Sequence, residues 1–327
     1  MMSLYTKCIR PALFAIDAEW LHNTAIAFGE RLGRSRAACA ALRHRYCVSD
    51  PRLETEACGI LFPNPVGLAA GYDKSGRALP FLASLGFGFL EIGSVSAAPS
   101  VGNPLPRLWR LPDERAIVVN YGLPNDGAEA VATRLEPLKL PVPLGINIVK
   151  TNRLCCEPAE AILADYLESL RVLKHSGDYL VLNLSCPNTE TGRDFFADKA
   201  QLVELLQRVE EMALPCPLLL KVSPLGGVAA IERLLEGVED FRCVSGFIFN
   251  LPPGKPPELT LRPRDFAKMP GAVAGKPVEQ FINTMVGELY RRMDQRRYHI
   301  IAAGGVFTAE DAYRKIQLGA SLVQILT

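Results

Sequence analysis

From Asn64 onward the chain repeats one pattern, a short apolar run rich in β-formers followed by a longer amphipathic stretch. Strands covered on both faces read as continuous apolar runs, and parallel neighbours need a helical crossover, so this alternation predicts stacked βα units. Eight runs are found, at 65–70, 89–93, 144–148, 179–184, 217–222, 246–250, 299–303 and 322–326, with helical periodicity at 159–174, 199–212 and 278–292 among the intervals. Eight is the number at which such a sheet closes, so the predicted fold is α/β, a (β/α)8 TIM barrel. An open doubly wound sheet wants a glycine-rich dinucleotide fingerprint after its first strand, and Leu68-Ala69-Ala70-Gly71-Tyr72-Asp73-Lys74 is not one.

Residues 5–45 read as helical, with Leu13, Phe14, Trp20, Leu21, Ile26, Phe28 and Leu32 apolar, and Asp17 placed to cap a helix that stops at Gly33. Two short helices broken near Asp17 are predicted. Arg31, Arg34, Arg36, Arg43 and Arg45 have no acidic residue among them. Such a patch suits anionic lipid headgroups, and equally a solvated face of a hairpin packed on the barrel. The division is therefore a helical segment, 1–48, and a barrel, 49–327, whose last run is followed by Thr327 alone, so that the final helix is expected to be missing.

Composition excludes several classes. With 36 basic and 35 acidic side chains there is no global field to recruit nucleic acid. Nine cysteines are sparse and odd in number, and the adjacent Cys155-Cys156 lacks the spacing for a tetrahedral zinc, so neither a disulfide framework nor a metal is expected. No apolar run approaches the ~20 residues of a membrane span, and no signal-peptide core opens the chain.

Barrel chemistry sits at the carboxyl ends of the strands. Those ends carry Lys74, Asn147, Lys150, Asn183, Cys186, Asn188, Lys221 and Asn250. Amides supply paired donors and acceptors and lysines neutralise charge, a set suited to a planar anionic ligand with many acceptors. Capping of strand ends explains any one Asn but not the whole set. The seventh run ends in Ala303-Gly304-Gly305-Val306, whose backbone N–H groups beside the following helix suit a phosphate.

Several motifs carry a family resemblance: Asn64-Pro65-x-Gly67-Leu68-Ala69-Ala70-Gly71-x-Asp73-Lys74, Glu91-Ile92-Gly93-Ser94-Val95, Pro106-Arg107-Leu108-x-Arg110-Leu111, Asn183-Leu184-Ser185-Cys186-Pro187-Asn188 and Gly319-Ala320-Ser321-Leu322-Val323-Gln324. Together they resemble the dihydroorotate dehydrogenases across residues 5–327, and Asp17-x-x-x-Leu21-His22 resembles the quinone-tunnel extension of their class 2 members. The resemblance implies FMN held by Ala70, Gly71, Ser94, Asn147, Lys221, Gly275, Gly304, Gly305 and Thr327. It implies dihydroorotate held by Lys74, Asn120, Asn183, Asn188 and Asn250, with Cys186 as base. It further implies a quinone entering by His22 and Arg110, in a peripheral protein on the cytoplasmic side of a bacterial inner membrane.

The chain departs from that pattern in places. Cys186 is the class 1 choice of base, where class 2 members usually carry Ser. Val119 stands where a substrate-binding Asn is found, unless Asn120 replaces it, and Leu251 stands where Thr or Ser follows Asn250. Ala274 replaces a Ser and Leu326 a Tyr. Two other readings compete: an FMN barrel acting on another dihydro-heterocycle, and a non-catalytic paralogue working as an interaction protein at a membrane surface.

Overall fold

A computed structural model of the chain describes residues 8–152, 158–185, 195–256, 259 and 268–326. Three helices come first: α1 (Arg10–Phe14), α2 (Ala18–Gly33) and α3 (Arg36–Tyr46). The Asp17 carboxylate accepts the Trp20 N–H at 2.8 Å and caps α2, which ends at Gly33 as its sequence predicts. A further break follows, because the Ser35 hydroxyl accepts the Ala38 N–H at 3.2 Å and starts α3. Two helices were predicted where three stand, since the second cap lies inside a continuous helical pattern.

Among the described residues thirteen strands follow in chain order. They are β1 (Thr55–Ala57), β2 (Ile60–Phe62), β3 (Val66–Leu68), β4 (Phe89–Val95), β5 (Leu108–Leu111), β6 (Ala116–Val119), β7 (Leu144–Ile148), β8 (Tyr179–Asn183), β9 (Leu218–Val222), β10 (Val244–Phe249), β11 (Ala272–Gly275), β12 (His299–Ala302) and β13 (Leu322–Ile325). Strands β3, β4, β7, β8, β9, β10, β12 and β13 pair in parallel and close into a barrel in that order, each on one of the eight predicted runs. The other five strands were not predicted. β1 and β2 form an antiparallel hairpin, and β5, β6 and β11 form a small antiparallel sheet from the segments that leave β4 and β10.

Inside the barrel, side chains alternate with a period of two. The lower tier is apolar: Phe89, Tyr179, Val181, Leu219, Ile248, Ile301 and Leu322 pack together, closed from below by Ala57 and Phe62 of the hairpin. Two rings claim the space of their neighbours. A Cβ on Gly67 would lie 2.5 Å from the Phe89 ring, and one on Gly145 would lie 2.1 Å from the Tyr179 ring. A second core fills the space between the strands and the outer helices, including Leu79, Ile92, Ile146, Leu170 and Leu205.

Tyr179 is buried and hemmed in, so it has nowhere to retreat. Gly145→Ala is expected to lower stability by about 2–3 kcal/mol, the upper range for overpacking a tight core. A urea midpoint equal to that of the parent protein would show that the tier is looser than this geometry.

Candidate functional site

Above the apolar tier the same alternation turns polar. Glu91 on β4, Asn183 on β8, Lys221 on β9, Asn250 just after β10 and Gln324 on β13 follow inward-facing apolar residues of their strands, and Asn147 on β7 follows the inward-facing Gly145. Over them lies a cavity of about 540 Å³ at the carboxyl ends of the strands. Ser94, Asn183, Lys221, Asn250 and Gln324 line its barrel side, and Leu13, Leu21 and His22 of α1 and α2 line the other. One continuous space thus joins the barrel mouth to the N-terminal helices.

A single hydrogen-bonded lattice forms the floor. The Glu91 carboxylate accepts from Asn147 Nδ2 at 2.9 Å, from Gln324 Nε2 at 2.6 Å and from the Tyr179 hydroxyl at 3.5 Å, and Lys221 Nζ stands 3.7 Å away. Asn147 Oδ1 accepts from the Ser94 hydroxyl at 2.5 Å, and Ser94 Oγ accepts from Asn183 Nδ2 at 3.0 Å. Asn183 Oδ1 accepts from Asn250 Nδ2 at 2.7 Å, which also donates to the Ser185 carbonyl at 2.9 Å. Asn147 itself is fully buried beneath the cavity.

The cavity's other end is lined by glycines. Gly304, Gly305 and Gly275 have φ of 92°, 72° and 116°, the left-handed region that side chains rarely adopt. A Cβ on Gly305 would meet Glu279 Cβ at 2.4 Å, so its loop packs directly on the start of helix Glu279–Arg292. The helix that follows the Gly-Gly pair, Ala309–Gln317, is closed by its own capping box of Thr308 and Asp311. Ile282 of the 279–292 helix and Val278 at its N-cap line the cavity instead, and that helix has no side-chain cap. Ala70 and Gly71 also line the cavity.

Between the two ends stands Lys74. Its ammonium lies 3.4 Å from His22 Nε2 and 4.0 Å from the centre of the Tyr121 ring. Among the described residues no carboxylate reaches it within 4 Å. The side chain meets the cavity but is otherwise enclosed by protein, and that burial pushes the ammonium down to about 8. Burial, with the Lys74 charge adding to it, likewise pushes the His22 imidazole down to about 4, so the ring is neutral at pH 7. Helix α2 is held here by Glu19, whose carboxylate takes the Arg107 guanidinium at 2.7 Å with both side chains nearly buried. Arg110 lines the cavity and donates to the Ile16 carbonyl at 2.8 Å.

Comparison with known proteins places this arrangement. Residues 52–327 match the family model described as Dihydroorotate dehydrogenase. The chain is 41% identical over 334 residues to the Dihydroorotate dehydrogenase (quinone) of Acidithiobacillus ferrooxidans, across 97% of this chain and 88% of that protein. The chain belongs to the dihydroorotate dehydrogenase family. Its identity to the protein of the same name from Haloarcula marismortui is 38% over 318 residues, across 97% and 87% of the two chains. The ligand-free DHODH structure from Eimeria tenella superposes with a TM-score of 0.79 at 28% identity, across 93% of this chain and 88% of that one. The complex of the same protein with ferulenol gives 0.77 at 26%, across 95% and 86%. Membership in the dihydroorotate dehydrogenases implies a flavin cofactor.

Of the residues singled out in the sequence, the cavity gathers Lys74, Asn183, Asn250, Ala70, Gly71, Ser94, Lys221, Gly275, Gly304, Gly305, His22 and Arg110. Asn120 stands apart and is not among the residues that line the cavity. It follows the inward-facing Ile117 and Val119 of β6 out of phase, and its amide oxygen accepts from Asn103 Nδ2 at 3.2 Å. Val119, Leu251, Ala274 and Leu326 line the cavity as apolar wall. Cys186, Asn188 and Thr327 lie outside the described residues. Two residues were missed, Glu91 and Gln324, although each interrupts an apolar run at a position that faces the lumen.

The His22 proton reports this geometry. In the folded protein it should titrate near pH 4, whereas the unfolded ring takes its proton near 6.5. Because the unfolded chain then binds more protons, the His22 contribution destabilises the fold progressively as pH falls through that window. Nuclear magnetic resonance of the imidazole checks this, and Lys74→Met should move the titration upward. A ring titrating at its ordinary value would break the assigned contact.

Proposed function

We propose that this chain oxidises dihydroorotate to orotate, a step of pyrimidine biosynthesis, on an FMN bound in the cavity, and that a quinone receives the electrons. The observation that carries this reading is the continuity of the cavity, which lets one ring meet a substrate on its barrel side and an acceptor beside α1 and α2.

The residues present fit the cofactor. Gln324 must turn its Nε2 toward the Glu91 carboxylate, which leaves Oε1 buried without a partner, an acceptor for a ring N–H. The glycine-lined end at Gly275, Gly304 and Gly305 presents bare backbone in the left-handed region, where a side chain would be strained, and that backbone suits a phosphate. Bound there, the flavin supplies two-electron acceptance. Lys221 would hold its polar edge beside Ser94, Asn147 and Gln324, and oppose negative charge as it develops. Ala70, Gly71 and Thr327 complete the proposed cofactor set.

Lys74, without a carboxylate of its own among the described residues, would take that of the substrate. Asn183, Asn188 and Asn250 would hold its ring amides. Cys186 is the proposed base, because a thiol with an ordinary pKa of ~8.5 already presents some thiolate at neutral pH, whereas a serine needs another route to lose its proton. A second reading rests on Val119 and Leu251. These apolar walls offer no hydrogen bond, and each one missing costs ~1–3 kcal/mol of affinity for a polar ring, so another dihydro-heterocyclic acid would suit the pocket.

Anaerobic addition of dihydroorotate should bleach the visible flavin band of the purified protein. Cys186→Ala should slow that bleaching by ~10²–10⁴ while leaving flavin content unchanged. A bound flavin that dihydroorotate does not reduce would favour the second reading, and a protein releasing no FMN on denaturation would reject both.

Attachment to the membrane is proposed to be peripheral, through 1–48. No helix among the described residues is long and apolar enough to cross a bilayer. Trp20 and Phe28 of α2 are 59% and 60% exposed, and α2 and α3 also carry Arg31, Arg36, Arg43 and Arg45. An apolar face flanked by cations fits an interfacial helix on anionic lipid. Trp20→Glu with Phe28→Glu should weaken binding to phosphatidylglycerol vesicles at least tenfold and leave flavin reduction by substrate unaltered. Equal vesicle binding by the double variant would exclude this face.

A further inference from the structure

We propose that Glu91 is a positioning residue that fixes the charge and the hydrogen-bond polarity of the cavity floor toward the bound flavin. This rests on the reading that a flavin occupies the cavity.

Glu91 is almost fully buried in the middle of β4 and does not line the cavity. Four side chains from four other strands converge on it: Asn147 from β7, Tyr179 from β8, Lys221 from β9 and Gln324 from β13. Three of the four are neutral, and burial together with the nearby carboxylate holds the Tyr179 phenol well above its ordinary value, so that it remains a donor. Lys221 is the cation that reaches Glu91. A buried carboxylate without a counter-charge is strongly disfavoured, so the lysine is drawn down at 3.7 Å while its side chain, 11% exposed, still borders the cavity. Whatever ring lies above feels a lysine charge partly cancelled from below.

Polarity follows from the same carboxylate, which only accepts. It therefore turns the NH2 groups of both Asn147 and Gln324 downward. The oxygen of Gln324 is left with no partner on the floor, and the oxygen of Asn147 takes the Ser94 hydroxyl. Ser94, having donated, accepts from Asn183, whose oxygen accepts from Asn250. Donor and acceptor roles are thus handed from Glu91 across the floor to the two amides assigned to the substrate. Such a relay has one polarity only while its first member cannot donate.

The test is Glu91→Gln, which keeps the size and removes the charge. The midpoint potential of the bound FMN should rise, because the uncancelled Lys221 favours the reduced ring. A tenfold gain in affinity for reduced over oxidised flavin corresponds to about 30 mV for a two-electron couple. Lys221→Met should move it the other way. Apoprotein titrated with FMN should also bind less tightly when the donor at position 91 misorients Gln324. A merely structural glutamate would leave the potential in place while stability falls, and that result overturns the proposal. If Glu91→Gln does not fold, Lys221→Met alone decides. Deprived of its cation, Glu91 should take up a proton and show the infrared carbonyl band of a buried carboxylic acid, and absence of that band overturns the pairing. The infrared measurement needs no flavin, so a protein that binds no FMN rejects the proposed function, whereas FMN at an unchanged potential rejects this inference alone.

Discussion

A closed barrel has one interior, and eight strands must agree on what fills it. Period-two alternation gives each strand only two or three inward positions, and here they divide into tiers. Phe89 and Tyr179 are accommodated below because Gly67 and Gly145 stand beside them without side chains. Above, the floor is buried but not every group is apolar, so each polar atom needs a partner. An unsatisfied buried group costs ~1–3 kcal/mol, which is why Glu91, Asn147, Ser94, Asn183 and Asn250 form one unbroken lattice rather than separate contacts. The Gln324 oxygen, buried and without a partner, marks where that lattice stops at the cavity.

Helix α2 is a wall of this cavity. Its inward face carries Ala18, Glu19, Ile26 and Gly29, and Gly29 is small because a Cβ there would lie 2.7 Å from the Phe81 ring. The Glu19–Arg107 pair does more to fix position than to add stability, since a buried ion pair gains little over apolar packing yet costs about 3–5 kcal/mol when one partner is removed. One turn after Glu19 comes His22, and the pair thereby sets the imidazole against Lys74. Apolar face and arginines are left on the outside of the same helix.

The cavity's two lysines have opposite surroundings. Lys221 rests above a carboxylate, so its charge is partly balanced within the protein. Lys74 sits against an aromatic ring and a neutral imidazole, and burial lowers its affinity for its proton. Bringing an anion to Lys74 stabilises its charged form, whereas Lys221 already has its balance. The difference orders the space, with an anionic group favoured at Lys74 and a neutral, polarisable ring favoured above Lys221.

Much of this was legible in the chain because local rules carry it. Strand runs, the Asp17 cap, the stop at Gly33 and the polar strand ends follow from side-chain type and spacing over a few residues. Strands β5, β6 and β11 were not legible, because four-residue strands in an antiparallel sheet are held by partners far away in sequence, as Val119 is by Ala272. The phase of β6 turned Val119 inward and Asn120 away, which motif alignment alone left open. Glu91 shows the boundary most clearly. Its sequence marks a charge within an apolar strand, and nothing more. Only closure of the barrel, which brings β4, β7, β8, β9 and β13 around a single interior, supplies the donors that keep it there, because those donors lie up to 233 residues from Glu91 in sequence and meet it through strand register rather than through any local preference.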